Sequence, residues 1–128
     1  MKYKKDYKYQ LVEDEKIKIN IVGYDVELDF IKLDIDGNLT IKKGYAWDGA
    51  SGAFDTKTIM LGALVHDSLY QLLRNNLLPI ETRILCDKEF KRICLENGMF
   101  KFRANYVYKA VRTCGRSAAE KPKKIYYI

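Results

Sequence analysis

The chain has one histidine, His66, among 128 residues. An imidazole does acid–base work when a carboxylate fixes its tautomer and stabilises its protonated form. The residues Ile59, Ala63, His66, Tyr70 and Leu73 step by four, three, four and three, the repeat of one helix face. That stripe is apolar apart from His66 and the Tyr70 hydroxyl. A second stripe holds Ile80, Ile84, Asp87, Lys91 and Cys94, with Phe90 beside it. Asp87 falls at the centre of a face expected to be buried. A buried carboxylate is costly unless it is paired or hydrogen-bonded. A short connection over 75–78 makes the two helices antiparallel neighbours, with His66 about three turns and Asp87 about two turns from it. A His66–Asp87 pair is therefore expected, with Tyr70 donating to Asp87. Taken alone, His66 reads as a core histidine satisfied by one hydrogen bond.

Asp67 follows His66 and points about 100° away from it. It is expected to face the loop before the helix, which offers Asp48 and the carbonyls of Gly49 and Ala50. Carboxylates and backbone carbonyls converging on one point suit a hard cation, and calcium in particular. Taken singly, Asp67 reads as a surface carboxylate and Gly44 to Gly52 as a structural turn.

The elements that must place these residues follow from the pattern. Strands are expected over Tyr7 to Val12, Lys16 to Val22 and Val26 to Leu33, with Ile17, Ile19 and Ile21 on one face. Gly23-Tyr24 reads as a turn. Asp36-Gly37 signals a hairpin between Ile31–Ile35 and Leu39–Ile41. Gly44 opens an aromatic, glycine-rich loop to Gly52. A first helix, capped by Asp55, is expected from about Thr56 to Arg74, ending at Asn75-Asn76. A second runs from Pro79 to about Asn97, with Gly98 as its stop. A third runs from about Phe102 to Cys114, with Gly115 as its stop. Ile125 to Ile128 is strand-like and placed to rejoin the sheet.

The fold class is thus α+β: N-terminal antiparallel strands and hairpins over 1–44, a three-helix core over 45–115 with two antiparallel site helices, and a basic tail over 116–128. One domain over 1–128 is expected, since 48% apolar residues suffice for a core and exclude a largely disordered chain. No stretch approaches the roughly 20 apolar residues of a helical membrane span. Met1 to Gln10 is lysine-rich and does not read as a secretory signal. Cys86, Cys94 and Cys114 are odd in number and form no CxxC, so reduced thiols and an intracellular life are expected. Residues 1–98 carry 15 basic and 16 acidic side chains, whereas residues 99–128 carry 8 basic and 1 acidic. The positive balance is therefore local. It suits a polyanion or anionic lipid headgroups, or else is a solvated helix face.

His66-Asp67-x-x-Tyr70, then Arg83-x-x-x-Asp87-x-x-Phe90, then Tyr108-Lys-Ala-Val111 followed by Gly115, resembles the phospholipase A2 superfamily in its small bacterial and viral forms. Tyr45-Ala46-Trp47-Asp48-Gly49-Ala50-Ser51 is similar to the tryptophan–aspartate calcium loop of the bacterial enzymes, with Asp48 directly after Trp47. The likeness covers roughly 45–115. Ala50 and Ala63 stand near the positions of the secreted enzymes' loop-to-helix disulfide. The whole chain also resembles a phage and prophage family built around a WDGAS…HD-x-x-Y core. The resemblance implies that His66 is the general base activating water, with Asp87 as its partner and Tyr70 in support. It implies Ca2+ held by Asp67, Asp48 and the carbonyls of Gly49 and Ala50, and the sn-2 ester of a glycerophospholipid as substrate.

Three functions compete at this level. The first is a calcium-dependent lipid esterase working at a phospholipid or anionic membrane surface. The second is a non-enzymatic phage structural or host-interaction protein that retains the fold. The third is a nucleic-acid binder using Tyr106, Tyr108, Lys109, Arg112 and Arg116. It ranks last, because those aromatics read as core packing and no binding motif accompanies them. The expected location is the bacterial cytoplasm during expression, or the virion.

Overall fold

The computed structural model describes residues 1, 3–5, 9–47 and 57–120. Its described strands are β1 (Tyr3–Lys5), β2 (Tyr9–Leu11), β3 (Glu15–Lys18), β4 (Val26–Leu28), β5 (Ile31–Leu33), β6 (Asn38–Ile41) and β7 (Ala46–Trp47). The helices follow: α1 (Lys57–Arg74), α2 (Arg83–Glu96), α3 (Lys101–Cys114) and α4 (Arg116–Ala119). The fold is α+β, with strands first and helices after.

The strands form two antiparallel sheets, ordered β1-β2-β7 and β3-β6-β5-β4. The turn expected at Asp36-Gly37 joins β5 to β6. Asp34 builds it: its carboxylate accepts from the Asp36 and Asn38 amides at 3.0 and 2.9 Å and from the Asn38 side chain at 3.0 Å. Gly37 adopts φ +89°, where a Cβ would strike the carbonyl of Ile19. The period-two face also holds: Ile19 and Ile21 are buried and Ile17 packs against the core, although the β3 ladder stops at Lys18.

Several boundaries differ from the sequence reading. Val26 to Leu33 is two strands, folded back on each other by a turn at Asp29-Phe30, with Leu28 opposite Ile31. Tyr3–Lys5 is an unforeseen edge strand. Ala46-Trp47 belongs to the first sheet rather than to the loop, opposite Tyr9 and Gln10. Strand pairing thus extends past residue 44, and within 116–128 a short helix, α4, packs with Ala119 fully buried. Asp55 and the run Ile125 to Ile128 lie outside the described residues.

α1 stops as its sequence requires. Asn76, at φ 59°, ends it with amide bonds from Asn76 to Leu73 and from Leu77 to Leu72, a Schellman closure. Gly98, at φ 96°, ends α2 in the same way. Gly115 does not: its φ is −85° and the chain continues into α4. A side chain is excluded there for another reason. A Cβ would lie 2.8 Å from the Tyr70 hydroxyl and 3.3 Å from Arg83 Nη2.

One core joins the sheets to α1, through Leu33, Leu39 and Ile41 on one side and Leu64, Val65, Leu69 and Leu72 on the other. A second cluster, of Ile59, Ala63, Phe90, Cys94, Met99, Ala104 and Val107, lies between the three long helices. Glu89 fixes α2 to the sheet. Buried itself, it accepts from the Asn20 amide at 3.1 Å and pairs with Arg92 at 2.6 Å. The cysteines are free. Burial pushes the thiols of Cys86 and Cys94 up to about 12, which keeps both protonated, while Cys114 is exposed. Among the described residues no helix is long and apolar enough to cross a membrane.

Candidate active site

α1 and α2 run antiparallel, and their register is set by three pairings. A Cβ on Gly62 would meet Cys94 Sγ at 2.8 Å and Phe90 Cδ1 at 3.0 Å, so only a glycine lets the helices approach there. One turn on, His66 meets Asp87, and Tyr70 one turn further meets Asp87 and Arg83. The buried face of α2 carries Arg83, Cys86, Asp87, Phe90, Ile93 and Cys94. This is rotated from the expected stripe. Ile80 is 41% exposed in a 3₁₀ turn, Ile80–Thr82, that precedes the α-helix, and Ile84 is 39% exposed at the edge of the buried face.

His66 Nε2 lies 2.6 Å from Asp87 Oδ1. The Tyr70 hydroxyl donates to the same oxygen, also at 2.6 Å. The imidazole is held between two rings, 4.1 Å from that of Tyr70 and 4.9 Å from that of Phe90 by centroid. Its side chain keeps 14% exposure, whereas that of Asp87 has none. Burial alone would raise the Asp87 carboxyl. The hydrogen bonds from His66, Tyr70 and Arg112 outweigh it and hold the group below the usual carboxylate range. An ionised Asp87 accepts only, so neutral His66 carries its proton on Nε2 and leaves Nδ1 with a lone pair. Nδ1 has no hydrogen-bond partner among the described residues.

Two arginines complete the cluster, and periodicity gave no sign of them. Arg112 Nη1 donates to Asp87 Oδ2 at 2.8 Å from the last turn of α3. Arg83 is buried. Its Nε donates to the Tyr70 hydroxyl at 3.0 Å and lies 4.0 Å from Asp87 Oδ2. Its Nη2 donates to the carbonyls of Val111 and Arg112 at 2.7 and 3.0 Å. Arg83 thus fills the acceptor side of Tyr70 and turns the hydroxyl proton toward Asp87. It also adds a second donor to the Val111 carbonyl, which the Gly115 amide reaches at 2.9 Å, and ties α2 to the end of α3. Burial, with the charge of Asp87 beside it, pushes the Tyr70 hydroxyl well up, so it stays a donor at neutral pH.

Asp67 leaves α1 in another direction, as expected. Its Oδ2 accepts from the buried Tyr45 hydroxyl at 2.7 Å. Burial and the charge of Asp67 push that hydroxyl up as well. Asp48, Gly49 and Ala50 lie outside the described residues, so only Asp67 of the proposed calcium ligands is placed. The described residues contain no cluster of three or more metal-ligating side chains. Tyr45 stacks on Trp47, whose indole Nε1 is buried without a hydrogen-bond partner among the described residues.

The helix-three aromatics do not pack the core as expected. Tyr106 is 66% exposed, and Tyr108 is half-buried with Lys91 Nζ 5.4 Å from its ring centre. Set against family models, curated proteins and solved structures, the chain matches none.

Proposed function

We propose that this chain is a phospholipase A2-like hydrolase of glycerophospholipid esters that uses a His66–Asp87 dyad at a phospholipid or anionic membrane surface. The observation that carries the reading is the 2.6 Å contact from His66 Nε2 to a fully buried Asp87 that Tyr70 also engages. In this reading water enters beside Nδ1. His66 takes one of its protons as the oxygen attacks the ester carbonyl. Asp87 stabilises the imidazolium through Nε2–H, and Tyr70 and Arg83 hold Asp87 and the ring in place. The same proton then passes to the departing alcohol, so one water is consumed and a fatty acid and a lysophospholipid leave. The carboxylate of Asp67 is a hard oxygen donor that fits calcium, with Asp48 and the carbonyls of Gly49 and Ala50 as the further ligands proposed. A bound calcium would supply positive charge for the developing oxyanion. The proposed place of action is the bacterial cytoplasm during expression, or the virion.

One observation favours a second reading, a phage structural or host-interaction protein that keeps the fold without the activity. Arg112 and Arg83 surround the same carboxylate and tie it to the end of α3. A cluster so fully engaged also serves as a latch between helices.

The deciding experiment is fatty-acid release from mixed phospholipid vesicles, with calcium and with chelator, for the wild type and His66→Ala. The esterase reading expects calcium-dependent release that the variant loses. No release at any calcium concentration, from folded protein, would leave the latch as the role of the cluster.

A further inference from the structure

The outer face of α3 carries aromatic rings where solvent-facing polar residues belong. Phe100 is 74% exposed, Phe102 77% and Tyr106 66%. The opposite face of the helix, through Ala104 and Val107, is the one that packs on the protein. Phe102 and Tyr106 are one turn apart, and Phe100, just before the helix, stacks on Phe102 with centroids 6.2 Å apart and planes 10° from parallel. Exposed Lys101 and Lys109 flank the rings. The sequence from 97 to 119 contains no acidic residue. Clustered exposed rings mark an interaction surface rather than ordinary surface composition.

We propose that this face, Phe100, Phe102 and Tyr106 with Lys101 and Lys109 at its sides, docks the protein on an anionic lipid surface. Cations alone would suit any polyanion. The rings narrow the choice. Phe100 and Phe102 spend a face on each other, so together they make one apolar wedge rather than two platforms for separate bases. Neither has a hydrogen-bonding group with which to read a nucleic acid or a polar protein surface. A wedge of phenyl rings enters the boundary between headgroups and acyl chains. The Tyr106 ring suits the same depth, with its hydroxyl toward water. The lysine stems reach back to anionic headgroups. α3 then lies along the surface with its packed face upward.

The inference rests on the esterase reading for the choice of lipid as partner, and its test reads binding without turnover. The full chain is sedimented with vesicles of phosphatidylglycerol and, separately, of phosphatidylcholine. The wild type and His66→Ala are expected to bind phosphatidylglycerol equally, and at least tenfold more tightly than phosphatidylcholine. Phe100→Ala/Phe102→Ala is expected to lose at least tenfold in binding with its melting temperature unchanged, since neither ring belongs to the core. Lys101→Gln/Lys109→Gln is expected to weaken binding and flatten its salt dependence. Three results would overturn the inference: no binding of the wild type to phosphatidylglycerol, unchanged binding by the phenylalanine variant, or tighter binding of a single-stranded oligonucleotide than of vesicles. Docking without ester hydrolysis would remove the esterase alone. Hydrolysis of a soluble short-chain ester without docking would remove the docking face alone.

Discussion

His66 has two ring nitrogens with separate tasks. Nε2 is committed to Asp87 at 2.6 Å, and Nδ1 is left with its lone pair on a ring clamped by Tyr70 and Phe90. Removing the imidazole should cost the proposed hydrolysis about 10²–10⁴-fold, the usual worth of a positioned base. His66→Ala vesicle assays at fixed calcium measure it, with circular dichroism to show that the fold persists. Tyr70→Phe is a sharper test of the cluster, because the ring stays and only the hydroxyl leaves. Asp87 and Arg83 then each lose a partner, which should lower stability by about 1.5–3 kcal/mol in urea unfolding. The His66–Asp87–Tyr70 grouping was legible because His66 and Tyr70 interrupt an otherwise apolar stripe and Asp87 sits mid-stripe on the next helix. Arg83 stood out only through its spacing to Asp87 in the motif, and Arg112 only among the basic residues of helix three; neither was legible as a partner in this cluster. Long side chains carry their heads several ångströms from the backbone, so helical spacing says little about where a guanidinium ends.

Between elements, the close approach of α1 and α2 decides whether the dyad forms. Gly62→Ala would press a methyl group into Cys94 Sγ and the Phe90 ring and backbone, one turn from His66. Overpacking of this kind costs about 1–3 kcal/mol. The expected result is a lower urea midpoint, together with a larger fractional loss of activity than stability alone accounts for. An unchanged midpoint would mean that the helices shift apart freely. The helix ends at Asn76 and Gly98 were readable because left-handed backbone favours those residues. The reverse turn at Asp29-Phe30 was not, since it contains neither glycine nor proline and Val26–Leu33 looks continuous. The phase error on α2 lies at its start: Ile80 belongs to a 3₁₀ turn of three residues per turn that precedes the α-helix, and Ile84 falls at the exposed edge of a buried face centred on Asp87 and Phe90.

For the molecule as a whole, Asp87 gathers contacts from α1, α2 and α3, so its charge state bears on global stability. Its carboxyl is held below the ordinary range in the folded protein. A depressed pKa contributes stability above the unfolded-state value, and that contribution is lost as pH falls through the folded value. Wild-type melting temperature should therefore fall in acid, below the ordinary carboxylate range. Asp87→Asn should be less stable at neutral pH, and the gap between the two should narrow as pH drops. Parallel curves for the two proteins would contradict this. Asp87→Ala should cost about 3–5 kcal/mol at neutral pH, since it strands Arg112, Arg83 and Tyr70 around a void. The two-part layout, strands then helices, was plain in the shift from period two to period 3.6. The joining of both parts in one core was not, because it depends on which strand faces meet α1, with Leu33, Leu39 and Ile41 against Leu64, Val65, Leu69 and Leu72.

Trp47 is the only tryptophan in the chain. It is 2% exposed, its Nε1 has no hydrogen-bond partner among the described residues, and its ring lies within 6.5 Å of those of Tyr3, Tyr9 and Tyr45. An indole in such dry surroundings emits at the blue end of its range, and all of the tryptophan emission comes from this one place. Its sequence neighbours are Asp48, Gly49 and Ala50, and its ring neighbour Tyr45 donates to Asp67. The protein thus contains its own optical gauge at the edge of the proposed metal loop. Calcium or a bound lipid headgroup can be titrated against emission wavelength and quenching, without a label.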